Sequence, residues 1–324
     1  MTSAKGLPPL PLAELQKTMS LDLDLFICSA SFESRSLSAP KSLMPEKVKK
    51  VFMMRNENVQ GKGVEYGEQI LAHFRKRAEM VLVSKTSPIK TADGLLAAIS
   101  SMELGDNASC LVDITTMTHE ALLILFRILN KQLPKSVDLK FVYSAAKEYD
   151  PGKADENKWL SQGLGEVRSV LGYPGEMRPS RKSHLIVLVG FEEERARKLI
   201  ETYEPAALSL GIGELPPVNE SHLRVNRSHF KRLLSSNPNS IEFHFSPTDP
   251  LAVRDIVLEK VKLFEGFNVV IAPMNNKIST LGVALAAIEN PEVQICYGRA
   301  MAYNVDNYST PADYCYVFSL PSVI

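Results

Sequence analysis

Two short turns carry the residue types that chemistry would need. In "SASFESRSL", residues 29 to 37, Phe32 and Glu33 precede Arg35; in "VGFEEERARKL", residues 189 to 199, Phe191 and Glu192 precede Arg195. Each turn follows an apolar run. A glutamate so placed can act as a base or accept a ribose hydroxyl, and the arginine can grip an anion in bidentate fashion. The same residues also admit a plainer arrangement, in which each Glu and Arg pair across the turn as a structural salt bridge and the two phenylalanines belong to the core.

Two further polar turns sit between an apolar run and a helical pattern. "LVDITTMTHEALL" offers Asp113, Thr115, Thr116 and Thr118. Hydroxyls there cap free amides, and those amides with the helix dipole favour a phosphate or carboxylate. "APMNNKISTLGVAL" places Asn275, Asn276 and Lys277 ahead of Ser279 and Thr280. A lysine beside capping hydroxyls fits a phosphate clamp, and the two amides could read polar edges of a base or sugar. Simple capping and a solvated loop lysine are the plainer alternatives. The first turn lacks the glycines that bring a backbone close to a diphosphate, which argues against a Walker or dinucleotide fingerprint, and no cofactor is expected. Tyr143 and Tyr149 in "VYSAAKEY" match Tyr297 and Tyr303 in "CYGRAMAY" and are placed to line the same crevice or seal an interface.

The elements that must position these residues alternate. "LDLDLFICSA", "KVKKVFMMR", "EMVLVSK", "ASCLVDI" and "DLKFVYSA" read as strands, separated by helical patterns such as "VEYGEQILAHFRKRA" and "HEALLILFRILNKQL". Alternation of this kind predicts parallel strands with helical crossovers. Residues 151–183, rich in Gly, Pro and charge, read as a linker with one short helix around "LSQGLGEVRSVL"; the alternation then resumes to the end. The expected fold is α/β: a Rossmann-like lobe over 1–150, the linker, and a second lobe over 184–324.

Fixed offsets favour an internal duplication. Phe32 and Phe191 are 159 positions apart, as are Asp113 and Ala272, and both tyrosine pairs are offset by 154. Two such lobes would face each other across a pseudo-two-fold axis. In open parallel sheets the crevice lies beyond the carboxyl ends of the strands, where all four polar turns fall.

Composition limits the partners. Lys plus Arg equals Asp plus Glu at 37 each, so no global field holds a polyanion, and an extended nucleic-acid footprint is not expected. The four cysteines read as buried free thiols, and the six histidines lack metal-binding spacing. The start lacks the apolar core of a signal peptide, and no run approaches the ~18 apolar residues of a membrane span, which predicts a cytoplasmic protein that makes no membrane contact.

The strand, the "DITTMTHE" turn and the following helix resemble the ligand-binding turn of CRISPR-associated Rossmann-fold (CARF) sensor domains, with Lys277 in the second lobe matching the family's basic residue and His119 standing there in the first. The resemblance implies a cyclic-oligonucleotide-type ligand bound across a two-fold interface, a role in prokaryotic defence, and an effector carried by a partner protein. "CLVDITTMT" is also similar to the ribose-phosphate loop of phosphoribosyltransferases. The residues therefore carry three readings. One is a sensor of a small anionic nucleotide, held by Arg35, Arg195, Lys277 and the hydroxyls of Thr115, Thr116, Ser279 and Thr280. Another is a nucleotide-processing enzyme in which Glu33 or Glu192 assists glycosidic-bond cleavage or transfer. The third is a structural partner subunit.

Overall fold

The computed structural model describes residues 7–19, 22–214 and 220–320. Two compact lobes divide the chain: the first comprises Leu7–Lys147 and the stretch from Ser309 onward, the second Glu148–Tyr308.

In chain order the first lobe holds β1 (Leu10–Pro11), α1 (Leu15–Thr18), β2 (Leu23–Ala30), α2 (Ser38–Ser42), β3 (Val48–Asn56), α3 (Lys62–Phe74), β4 (Ala78–Val83), α4 (Pro88–Ser100), β5 (Ser109–Asp113), α5 (His119–Gln132) and β6 (Asp138–Tyr149). The second lobe holds β7 (Ser161–Pro174), β8 (Ser183–Val189), α6 (Glu193–Tyr203), β9 (Ala207–Gly213), α7 (Glu220–Ser236), β10 (Ile241–Phe245), α8 (Pro250–Lys262), β11 (Asn268–Pro273), α9 (Lys277–Glu289) and β12 (Gln294–Tyr303). The last strand, β13 (Ser309–Ser319), belongs to the first sheet.

The strands of β2 and β5 are almost wholly buried, so their side chains need cover on both faces, which is the condition that produces parallel sheets sandwiched by helices. Phe26, Cys28 and Met53 on one face meet Ile70 and Phe74 of α3, with the Phe26 and Phe74 rings 5.8 Å apart. Each fully buried side chain of this size contributes about 1.5–3 kcal/mol. Leu185, Val187 and Leu210 pack equivalently against Leu199, Phe230 and Leu233 in the second lobe. Capping fixes where the helices begin: Thr118 accepts from the Ala121 amide, Asp249 from those of Leu251 and Ala252, and Asn276 from that of Ser279.

The two sheets have the same strand order. Read from the outer parallel strand, the first runs β4-β3-β2-β5-β6-β13, with β1 beyond, and the second β10-β9-β8-β11-β12-β7. The ladders reproduce the sequence offsets. Phe26 pairs with Leu111 as Leu185 pairs with Val270, each residue 159 positions from its counterpart; Val112 pairs with Phe141 as Ile271 pairs with Ile295, the latter offset by 154.

Two expectations are corrected. The stretch read as a short helix within a linker is a 14-residue strand, β7, paired antiparallel with β12. Leu164, Val167 and Val170 are spaced by three, which imitates a helix. Register shifts between Gln294 and Cys296 and between Gly298 and Ala300 re-phase the pairing so that this spacing fits a strand, while Gly163 and Gly172 adopt positive φ, 68° and 94°, outside helical geometry. The closing "DYCYVFSL" lies in β13 and completes the first sheet, not the second. Each sheet is therefore finished by a strand that follows, in sequence, the last parallel strand of the other. Among the described residues no helix is long and apolar enough to cross a membrane.

Candidate functional site

In both sheets the chain runs outward through three strands and then returns to the other side of the first, so the order reverses between β2 and β5 and between β8 and β11. The carboxyl ends of those strands define the crevice. The Glu33–Arg35 turn follows β2 and the Asp113 turn ends β5; the Glu192–Arg195 turn follows β8 and the Asn275–Lys277 turn follows β11.

In the first lobe the residues form one buried network. Arg35 is 2% exposed and Glu33 8%. Arg35 donates to Glu33 Oε2 from Nη2 at 2.6 Å and from Nε at 2.9 Å, and its Nη1 donates to the Ser144 carbonyl at 3.2 Å. Ser309, the first residue of β13, donates to Glu33 Oε2 at 3.0 Å and accepts from Arg35 Nε at 3.1 Å. The guanidinium also lies 5.9 Å from the centre of the Tyr143 ring. Ser144 links this group to the next turn, because its amide donates to the Thr115 hydroxyl at 2.9 Å while that hydroxyl donates to Asp113. The Thr115 amide donates to Asp113 Oδ1 at 3.0 Å. Burial pushes Asp113 up to about 6, against the opposing pull of the Thr115 hydrogen bonds and the Arg35 charge. Thr116 donates to the Ser29 carbonyl at 2.9 Å, and Thr118 caps α5. The three threonines hold the turn itself together.

The second lobe repeats the plan with a looser pair. Arg195 Nη1 lies 3.6 Å from Glu192. Ser161, the first residue of β7, donates to Glu192 and accepts from Arg195 Nη1 at 3.0 Å. Arg195 Nη2 donates to the Gly298 carbonyl at 2.5 Å, the position that corresponds to Ser144. Its Nε is buried and has no hydrogen-bond partner among the described residues. Burial holds the Glu192 carboxyl above its usual range, against Arg195 and the Ser161 hydroxyl. Tyr303 is likewise raised by burial, with the Arg195 charge and a hydrogen bond to Tyr297 acting the other way. Tyr149, on this side of the division between lobes, has its ring 6.0 Å from Phe191 and 4.2 Å from His222.

The second turn of this crevice is tied to the first. Asn275 donates to the Val189 carbonyl at 2.7 Å, and Gly190 approaches so closely that a Cβ there would lie 2.1 Å from the Met274 carbonyl oxygen. Asn276 caps α9 and donates to the Pro247 carbonyl at 2.7 Å. The hydroxyls of Ser279 and Thr280 are buried and donate to the Asn276 carbonyl at 2.8 and 2.9 Å. Lys277 opens α9 and is half-buried.

Four partners escaped sequence reasoning: Ser144, Gly298, Ser161 and Ser309. The first two follow each matched tyrosine, so the 154-residue offset already pointed to them. Ser309 is 276 positions from Glu33, and nothing periodic links the two. Among the described residues, no group of three or more His, Cys, Asp or Glu is placed to hold a metal ion, and the four cysteines are buried and unpaired.

No family model and no curated protein matches the sequence. Solved structures similar to part of it include a spermidine synthase in complex with the transition state analogue AdoDATO, 13% identical over 42% of this chain and 42% of that one, TM-score 0.25. The pyocyanin biosynthetic protein PhzM is 12% identical over 44% and 38%, TM-score 0.24. The chain thus spans about four-tenths of the length of these two. The cytoplasmic domain of a prokaryotic cation chloride cotransporter is 9% identical over 86% and 95%, TM-score 0.25. Likenesses at these scores carry no functional argument.

Proposed function

We propose that the protein binds a small nucleotide-type anion at the carboxyl ends of β8 and β11, with Arg195 and Lys277 supplying charge, and that the first-lobe pair is a structural counterpart. The observation that carries this reading is the state of Arg195. It is anchored through Nη2 to Gly298 but sits 3.6 Å from its carboxylate and keeps Nε unpartnered, so an anionic oxygen would complete its coordination. Lys277 begins the helix across the same switch point, where the positive end of the α9 dipole adds to the attraction. The CARF-like turn extends the proposal to a cyclic-oligonucleotide-type ligand, a cytoplasmic setting in prokaryotic defence and a separate effector protein. A carboxylate raised by burial also favours a second reading, in which protonated Glu192 donates to a leaving group at a glycosidic bond.

The experiment is to incubate the protein with a mixture of mono-, di- and cyclic nucleotides, NAD and phosphoribosyl pyrophosphate, and to identify by mass spectrometry what is retained and what is consumed. Retention of an intact nucleotide, lost in Arg195→Gln and Lys277→Ala, is the expected result. Consumption that stops in Glu192→Gln would replace binding with catalysis, and the absence of both retention and consumption would overturn the proposal.

A further inference from the structure

The free edges of the two sheets differ in a way the matched scaffold isolates. β4 and β10 are the outer parallel strands, and the ladders align them: Met53 pairs with Met80 and Arg55 with Leu82, as Leu210 pairs with Glu242 and Ile212 with His244. In the second lobe the outward positions are polar and engaged. His244 lies 2.9 Å from Glu214 and 3.2 Å from Glu242, and Glu214 also pairs with Arg227. Charged edges of this kind discourage association. In the first lobe the same positions are Met80, 37% exposed, and Leu82, 48% exposed, with Ile89 at the start of α4 64% exposed. The inward residues of both strands, Val81 and Val83 against Phe243 and Phe245, are buried, so it is the outer face that has changed character.

Leu82 also lines an open groove of about 390 Å³ with Arg55, Asn56, Glu57, Asn58 and Val59. The Nε of Arg55 is buried there with no hydrogen-bond partner among the described residues. Basic residues bracket the strip: Arg75 and Lys76 are exposed before β4 and Lys85 after it, while Glu79 within the strand is engaged by Lys50 at 2.6 Å. An apolar strip with cations at both ends fits an apolar segment that carries carboxylates. A second copy fits poorly, because an antiparallel self-pair centred on Val81 would set Arg77 against Lys85.

We infer that the Met80–Leu82 strip and the Arg55 groove form a docking surface for an apolar, acid-flanked segment of a partner protein. The inference rests on the sheet edge and is independent of the nucleotide site.

The probe is a pair of fluorescent peptides with the same Leu-Ser-Leu-Ser-Leu centre, one flanked by two glutamates at each end and the other by two lysines, titrated against the full chain and followed by anisotropy. The glutamate peptide is expected to bind at least tenfold more tightly than the lysine peptide. Its affinity should fall at least tenfold in Leu82→Asp, fall several-fold in Arg55→Gln, and stay unchanged in Glu242→Gln. Leu82→Ser substitutes for the aspartate variant if the latter does not melt with the wild type. Equal affinity for the two peptides, no binding of the glutamate peptide, or indifference to the Leu82 change would overturn the inference. So would a wild-type dimer that Leu82→Asp dissociates, which would give the surface to a second copy.

Discussion

The same turn occurs twice and has two different fates. In the first lobe Arg35 closes on Glu33 at 2.6 Å, reaches Ser144 and shares Ser309, and Asp113 and Thr115 extend the network behind it. In the second, Arg195 keeps the bond to the carbonyl of the last parallel strand but stands 3.6 Å from Glu192, and Ala272 replaces the buried aspartate. What both copies retain is the arginine tether between the crevice and the neighbouring strand. The tightness of the ion pair is what varies, so the tether belongs to the scaffold and the slack marks where the proposed ligand would bind.

The largest expected difference between the lobes is in stability. Arg35→Met leaves Glu33 buried beside Ser309 and should cost about 3–5 kcal/mol, whereas Arg195→Met should cost about 2 kcal/mol or less because the pair it breaks is longer, 3.6 Å, and burial already weakens the hold of the charged form on Glu192. Urea midpoints of the two variants check this, and equal losses would break the distinction.

A smaller effect concerns pH. Asp113 titrates near 6 when folded against 3.8 in the reference state, so its folded form holds the proton more tightly. The associated stability is present below about 4 and is lost as pH rises through 6, by roughly 2–3 kcal/mol. Asp113→Asn should remove that fall, seen as a difference between variant and wild type that changes between pH 4 and pH 7; a pH-independent difference would contradict the buried, raised carboxyl. Ala272 offers no such group in the second lobe.

The smallest effects come from the two bridging serines. Ser309→Ala and Ser161→Ala each lose hydrogen bonds within their network and should cost about 1 kcal/mol. They differ in their consequence for the site: only Ser161→Ala should weaken nucleotide binding, because only Ser161 steadies the looser pair. Parallel melting and binding curves sharpen or remove the contrast.

Much of this arrangement was legible in the sequence because it is local and repeated. The Phe-Glu-Arg turns follow apolar runs that must be strands, and the 159- and 154-residue offsets coincide with the ladder registers. The first turn also declared a capping hydroxyl, Thr118, whereas in the second the cap is Asn276, read as an amide for a base or sugar edge, and the hydroxyls of Ser279 and Thr280, read as phosphate ligands, hold the Asn276 carbonyl. What stayed hidden was non-local. β7 carries apolar residues at helical spacing, and its true period emerges only through the register shifts of its pairing with β12. The return of β13 to the first sheet depends on which sheet has an open edge, and no residue within "DYCYVFSL" specifies that. Ser161, which bridges Glu192 and Arg195, comes from a strand that the sequence disguised.

The most direct test of the central claim is retention of the nucleotide mixture by three forms of the protein, wild type, Arg195→Gln and Ser309→Ala, each shown to be folded. Wild type and Ser309→Ala are expected to retain the same intact nucleotide, and Arg195→Gln to lose it by at least tenfold. Retention by Arg195→Gln with loss in Ser309→Ala would place the ligand in the first lobe and contradict the assignment made here.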